Sequence, residues 1–235
     1  MFLDVKGLNV GYGDVQVLWD INFKVEEGRI VSLVGANGAG KTTLLKTISG
    51  LIRPMSGEIL FEGQNLTHLS SKDIVGLGIV HVPEGRRLFP DMTVEENLIM
   101  GAYRRGKDPK IKKDLKRVYG IFPILDERKK QKAGSLSGGE QQMLAMARGL
   151  MGKPALLLVD EMSLGLAPLI VDDLIDIVKE IHQQGTTVFI VEQDVHLALA
   201  NSDYGYVLAT GHVMMEGNSQ DLIKNEKIKE VFLGL

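Results

Sequence analysis

The stretch Gly35-Ala36-Asn37-Gly38-Ala39-Gly40-Lys41-Thr42 constrains this chain more than any other part of it. It follows the apolar run Ile30-Val31-Ser32-Leu33-Val34 and precedes a segment, residues 43–49, that reads as a helix. This is the Walker A pattern G-x-x-x-x-G-K-[ST] in the strand–loop–helix setting that the motif requires. Residue type supplies the chemistry. Glycines let the backbone curl so that its N–H groups point at phosphate oxygens, where side chains would obstruct close approach. The new helix offers free N–H groups and the positive end of its dipole to the same anion, through Thr42 and Thr43. Lys41 can reach the β- and γ-phosphates, and the Thr42 hydroxyl can ligate Mg²⁺. A glycine-rich turn with a chance lysine is the competing explanation, and the rest of the chain weighs against it.

At 235 residues the chain can hold one large domain, or a core with an attached subdomain. A net charge of −3 lacks the electrostatic footprint of a nucleic-acid binder, so no nucleic acid is expected as a main partner. Cysteine is absent, which removes disulfide and thiolate chemistry. Met1-Phe2-Leu3-Asp4 lacks the basic and apolar regions of a signal peptide. No apolar run approaches the ~18 residues of a membrane span, so any membrane role must come through a partner. The expectation is a cytoplasmic α/β protein.

Residues 2–10 and 15–25 alternate apolar and polar around Gly11-Tyr12-Gly13-Asp14, which predicts an antiparallel hairpin. Tyr12 would lie on an exposed turn beside the phosphate loop. Its ring could stack on adenine, although for a tyrosine taken alone an ordinary turn aromatic is the favoured account. Residues 58–61 and 79–82 read as strands, the second ending at the breaker-rich Pro83-Glu84-Gly85-Arg86-Arg87-Leu88-Phe89-Pro90. Thr93 with Glu96 three residues on is a capped helix start, and helical texture continues to about residue 125. A charged connector spans 126–134. Residues 104–117 hold eight Lys or Arg; two Asp and a Pro interrupt the run, which favours a solvated face over a binding patch. Parallel-sheet texture returns at 155–160 and 186–191, with a helix over 169–184 between them. A hairpin over 204–216 turns at Gly211, and a charged helix over 219–233 closes the chain.

Asp160-Glu161 ends the apolar strand Leu156-Leu157-Leu158-Val159, the Walker B arrangement. The strand is buried, and the acid at its C-terminal end can meet the Mg²⁺ held by Thr42. Glu161 is then placed to orient or deprotonate a water attacking the γ-phosphate. Leu136-Ser137-Gly138-Gly139-Glu140-Gln141 opens a second helix on a Ser-Gly-Gly turn, a second anion-binding N-terminus.

These three motifs, in this order, resemble the ATP-binding subunit of an ABC transporter, and the likeness covers essentially the whole chain. Val82-Pro83-Glu84-Gly85-Arg86-Arg87, Ser163-Leu164-Gly165-Leu166-Ala167-Pro168 and Val191-Glu192-Gln193 together resemble LivF-type subunits of branched-chain amino-acid importers. The resemblance implies a RecA-like P-loop NTPase core with an antiparallel β-subdomain (1–84 and 152–235) and an inserted α-helical subdomain (85–151). It implies ATP sandwiched between two subunits, the Walker A loop of one facing Ser137, Gly138 and Gly139 of the other. It makes Tyr12 the adenine-stacking ring and puts transmembrane permease subunits among the partners. The chain would then sit on the inner face of the cell membrane through them. The second ATP-binding subunit would be another copy or a LivG-type chain.

Four positions depart from the common pattern. Glu84 stands where most members have Gln, and it either ligates Mg²⁺ or faces the membrane partner. Gln193 stands where a switch histidine is usual. It can donate a hydrogen bond to a γ-phosphate oxygen but cannot become cationic near neutral pH. Ala167 replaces a common aspartate. Met162 replaces the Pro of LivF-type chains, where only local packing should change. Import of another small polar solute such as urea is the competing function. A non-transport ABC ATPase is a weaker rival, because only 95 positions separate Lys41 from Leu136, with no heptad tract. A P-loop kinase or GTPase would not need the Ser137 turn.

Overall fold

A computed structural model describes residues 2–228, apart from the side chain of Lys227. In chain order the elements are β1 (Leu3–Tyr12), β2 (Val15–Val25), β3 (Ile30–Val34), α1 (Lys41–Ile48), β4 (Ser56–Phe61) and β5 (Gln64–Asn65). Then come α2 (Ser71–Gly76), β6 (Ile79–Val82), α3 (Val94–Gly101), α4 (Ile111–Ile121), α5 (Pro123–Glu127) and α6 (Gly138–Leu150). The remainder is β7 (Leu156–Asp160), α7 (Pro168–Gln183), β8 (Thr187–Glu192), α8 (Val195–Ala200), β9 (Tyr204–Ala209), β10 (His212–Asn218), α9 (Ser219–Lys224) and α10 (Glu226–Ile228). The described residues form two compact units, one within residues 2–74 and 187–228, the other within 75–186.

The first unit holds an antiparallel sheet ordered β2-β1-β4-β5. The expected hairpin is present, Leu3 pairing with Val25 and Tyr12 with Val15. Its alternation is not uniform. Leu3 and Val5 are buried, then Leu8 and Val10, a change of phase across a register shift between Val5 and Leu8. Gly7, at φ 56°, sits in that bulge and donates its N–H to Asn22 Oδ1 at 2.8 Å. Alongside, β3 pairs in parallel with both β8 and β9, and β10 returns antiparallel on β9. All five residues of β3 and all six of β8 are buried, as a strand covered on both faces requires. Tyr206 ties β9 to β2: its hydroxyl donates to the Lys24 carbonyl at 2.8 Å and accepts the Lys24 N–H at 3.0 Å. Burial pushes that phenol up to about 12.

The expected helix over 219–233 is broken at Asn225, which is extended (φ −70°, ψ 123°). Leu222 and Ile228 both enter the apolar cluster of Val34, Val195, Leu199 and Val207. A continuous helix would place two residues six apart about 120° from each other around its axis, so the break lets both reach the core. Residues 229–233 of that expected helix lie outside the described residues.

In the second unit β6 and β7 pair in parallel, Val82 beside Val159. Helix α3 has the expected capping box: Thr93 Oγ1 accepts from Glu96 N–H at 3.2 Å and Glu96 Oε2 from Thr93 N–H at 2.7 Å. The Thr93 N–H, with the Thr93 hydroxyl donating to the same oxygen at 2.9 Å, holds the Glu96 carboxyl below its ordinary value. Part of the basic segment folds inward. Arg105 pairs with Asp108 and with the buried Asp114, which Lys153 reaches at 3.1 Å. No helix among the described residues is long and apolar enough to cross a membrane.

Candidate functional site

In the first unit the phosphate loop hangs from the buried strand β3. Gly35, Ala39 and Gly40 are buried, whereas Ala36, Asn37 and Gly38 are exposed at its crest. The Ala39 N–H donates to the Ala36 carbonyl at 3.1 Å and closes the turn. Gly40 then starts α1 from a left-handed conformation, φ 108° and ψ 4°. A Cβ there would come within 2.5 Å of Leu18 Cδ2, so both backbone and space demand glycine. No side chain caps this helix start, and a helix N-terminus without a side-chain cap suits an anion.

Lys41 is 4% exposed, and its ammonium turns back over the loop to donate to the carbonyls of Gly35 at 2.9 Å and Ala36 at 3.2 Å. Thr43 is buried, its Oγ1 3.4 Å from the Tyr12 hydroxyl. That contact places Tyr12, 50% exposed at the end of β1, at the edge of the loop. Val34 pairs in register with Glu192, so Gly35 and Gln193 leave their parallel strands at the same end of the sheet. Gln193 is exposed, and Asp194 beside it caps α8, accepting the Leu197 N–H at 2.9 Å.

The second unit carries the other predicted residues. Because Val82 pairs with Val159, Glu84 and Asp160-Glu161 emerge at one end of the β6–β7 pair, Glu84 half-buried. Asp160 has no exposed surface. Glu161 holds a left-handed φ of 45°, a conformation that costs a residue with a side chain on the order of 1 kcal/mol or more. Met162 is buried. Ser137 is exposed and caps α6 through a second capping box, in which its N–H donates to Glu140 Oε2 at 2.8 Å. Arg128 pairs with that carboxylate at 2.8 Å and offsets its charge at the helix start. Gly138 and Gly139 form the first helical positions. Thus Tyr12, the loop 35–43 and Gln193 belong to one unit; Glu84, the Ser137 turn, Asp160 and Glu161 belong to the other.

Three residues escape motif reading. Asn97 has no exposed surface and clamps Phe89 by two bonds of 3.0 Å, donating to its carbonyl and accepting its N–H. A sequence signal existed, since Asn97 shares the helical face of Val94 and Leu98. Arg148 and Arg86 hold the loop after β6; Arg86 falls within the stretch Val82-Pro83-Glu84-Gly85-Arg86-Arg87, but no local pattern marks what either side chain holds. That loop is strained: Arg86 and Arg87 have φ of 63° and 46°, and the Arg87 N–H closes on the Gly85 carbonyl at 2.6 Å.

A family model described as ABC transporter matches residues 18–163. The high-affinity branched-chain amino acid transport ATP-binding protein BraG of Pseudomonas aeruginosa is 47% identical over 223 residues, 95% of this chain and 95% of that protein. The ADP conformation of an ATP-binding cassette of an ABC transporter has a TM-score of 0.88 and 25% identity, covering 100% of this chain and 99% of that one. A dimeric post-hydrolysis state of an ATP-binding cassette, bound to ADP and Pi, has a TM-score of 0.81 and 25% identity over 93% of this chain and 99% of the other. The expected RecA-like fold with its antiparallel β-sheet is the one observed.

Proposed function

The chain belongs to the ABC transporter family, and from that premise we propose that it hydrolyses ATP to drive an importer of branched-chain amino acids through separate membrane subunits. One observation carries the ATP reading furthest. Helix α1 starts from Gly40 with no side-chain cap, and Lys41 turns its ammonium over that same loop.

In this reading the triphosphate lies on the amides of Gly35, Asn37, Gly38, Ala39 and Gly40 and of Thr42 and Thr43. Lys41 exchanges its carbonyl partners for phosphate oxygens, and the Tyr12 ring stacks on adenine. The Thr42 hydroxyl and the Asp160 carboxylate are the hard oxygen donors that suit Mg²⁺, with Glu84 as a third candidate. When bound, the ion would neutralise charge on the β- and γ-phosphates. Glu161 orients the attacking water and takes its proton. Gln193 donates a hydrogen bond to a γ-phosphate oxygen. Ser137, Gly138 and Gly139 of a second ATP-binding subunit complete the cage.

The chain is then one cassette whose residues 85–151 form the helical subdomain, peripheral on the cytoplasmic face of the membrane. A groove of about 410 Å³, lined by Val75, Val82, Phe89, Met100 and Tyr103, adjoins the Glu84 loop and takes a cytoplasmic helix of a permease subunit. Phe89 and Tyr103, 43% and 79% exposed, give that helix apolar purchase.

Membrane vesicles that carry the chain with its native partners should take up leucine at the expense of ATP, and Glu161→Gln should stop uptake while retaining bound ATP. Uptake indifferent to leucine but driven by urea would move the substrate elsewhere. Sizing of the purified Glu161→Gln chain with Mg-ATP separates a second copy, which gives a dimer, from a LivG-type partner, which leaves a monomer until that chain is added.

A further inference from the structure

Arg148 lies near the C-terminal end of α6 and takes no part in the chemistry above. Its guanidinium forks onto the loop after β6: Nη1 donates to the Arg87 carbonyl at 2.7 Å and Nη2 to the Arg86 carbonyl at 3.2 Å. Its Cζ also lies 5.6 Å from the centroid of the Phe89 ring, at the rim of the apolar groove. The same loop returns to the other end of the helix. Arg86 Nη1 donates to Gln141 Oε1 at 3.3 Å, in the first turn of α6. Its guanidinium covers Gly138 so closely that a Cβ there would lie 3.2 Å from Nη2. Gln141 and Arg148 are about 10 Å apart along the axis, so the loop is tied to α6 at two separated points. Two ties fix orientation as well as position, and the left-handed turn at Arg86 is what aims both at once.

We propose that Arg148 is a positioning residue which, with Arg86, makes the loop 85–89 and the Ser137 turn one mechanical piece. A push on Phe89 in the groove then arrives at Ser137–Gly139 through a rigid helix. Clamping the Ser137 turn likewise immobilises the loop. Lysine cannot stand in, because a single ammonium on a flexible stem does not hold two carbonyls in a fixed plane. The inference rests on the reading that residues 137–139 close on a neighbour's triphosphate.

Hydrogen–deuterium exchange of the full chain tests it, in the Glu161→Gln background with and without Mg-ATP, adding the LivG-type subunit if sizing shows that it is needed. In that parent, ATP should slow exchange at least fivefold both in residues 137–141 and in residues 85–92. Adding Arg148→Lys should keep the first slowing and reduce the second below twofold, with the same melting temperature within two degrees. Arg86→Ala, which cuts the other tie and spares the helix interior, should do the same. Loop slowing that survives both substitutions would overturn the strap. So would slowing at 137–141 in the parent with no change at 85–92. A joint loss of both slowings in Arg148→Lys would make Arg148 a staple of the fold and equally refute a positioning role. No slowing at 137–141 in the parent would contradict the sandwich reading itself, and the strap with it.

Discussion

The N–H of Gly211 donates to the carbonyl of Ala39 at 3.0 Å, and the Gly211 carbonyl accepts the Trp19 N–H at 2.9 Å. A hairpin turn 172 positions beyond Ala39 therefore props that loop from behind and ties it to β2. The Trp19 and His212 rings, stacked at 5.5 Å, close over the same turn. The loop's shape is thus set by tertiary contacts as well as by its own glycines.

Gly211→Ala should damage the loop from outside it. Gly211 has φ of 80°, and a Cβ would collide with the Val17 carbonyl and the Trp19 ring. The strain should lower stability by roughly 2 kcal/mol. The KM for ATP should rise more than kcat falls. Unchanged urea midpoint and KM would show that the prop is dispensable.

Lys41→Met separates function from stability. The ammonium is buried against two carbonyls, so an apolar stem of similar length should leave the melting temperature level or higher. ATP turnover should drop by about 100-fold or more, as when a preorganised donor to transition-state charge is removed. Turnover within tenfold of the wild type would take Lys41 out of the proposed mechanism.

Asn97→Leu should cost roughly 2–4 kcal/mol in urea unfolding. It strands the Phe89 N–H and takes one of two donors from the Phe89 and Thr93 carbonyls, which keep the N–H groups of Met92 and Asn97. A cost under 0.5 kcal/mol would mean that these groups find other partners.

Acid stability should report the Arg105 cluster. Burial pushes the Asp114 carboxyl up, but hydrogen bonds and charge from Arg105 and Lys153 together hold it below the ordinary value. A lowered folded-state value stabilises the protein above the unfolded one, near pH 4, and the gain disappears as pH falls through the folded value. Asp114→Asn should lose roughly 3 kcal/mol at pH 7 and flatten that acid limb. Parallel curves for the two proteins would remove Asp114 from the account.

Much of this architecture was legible because single elements declare themselves. The continuous apolar runs of β3, β7 and β8 match strands buried along their length, and Thr93 with Glu96 marks a helix start by its own bonds. The short helix α2 was also there to be read. Ser70 and Asp73 carry a capping pattern, and Ser70 Oγ donates to Asp73 Oδ2 at 2.6 Å. The bulge at Gly7 and the break at Asn225 were not legible, since each answers to which residues must reach a core built by distant segments. Within the candidate site the loop residues and Asp160 follow from local pattern. Arg148 does not, because what it holds is backbone, and backbone leaves no mark in sequence; Asn97 is marked only by sharing the helical face of Val94 and Leu98.

If no single copy completes the cage around the triphosphate, ATPase activity per chain must depend on chain concentration. Specific activity should fall steeply on dilution and recover when the chain is concentrated or given its partner subunit. Full turnover, independent of concentration, by a chain shown to be monomeric in the same solution would contradict it.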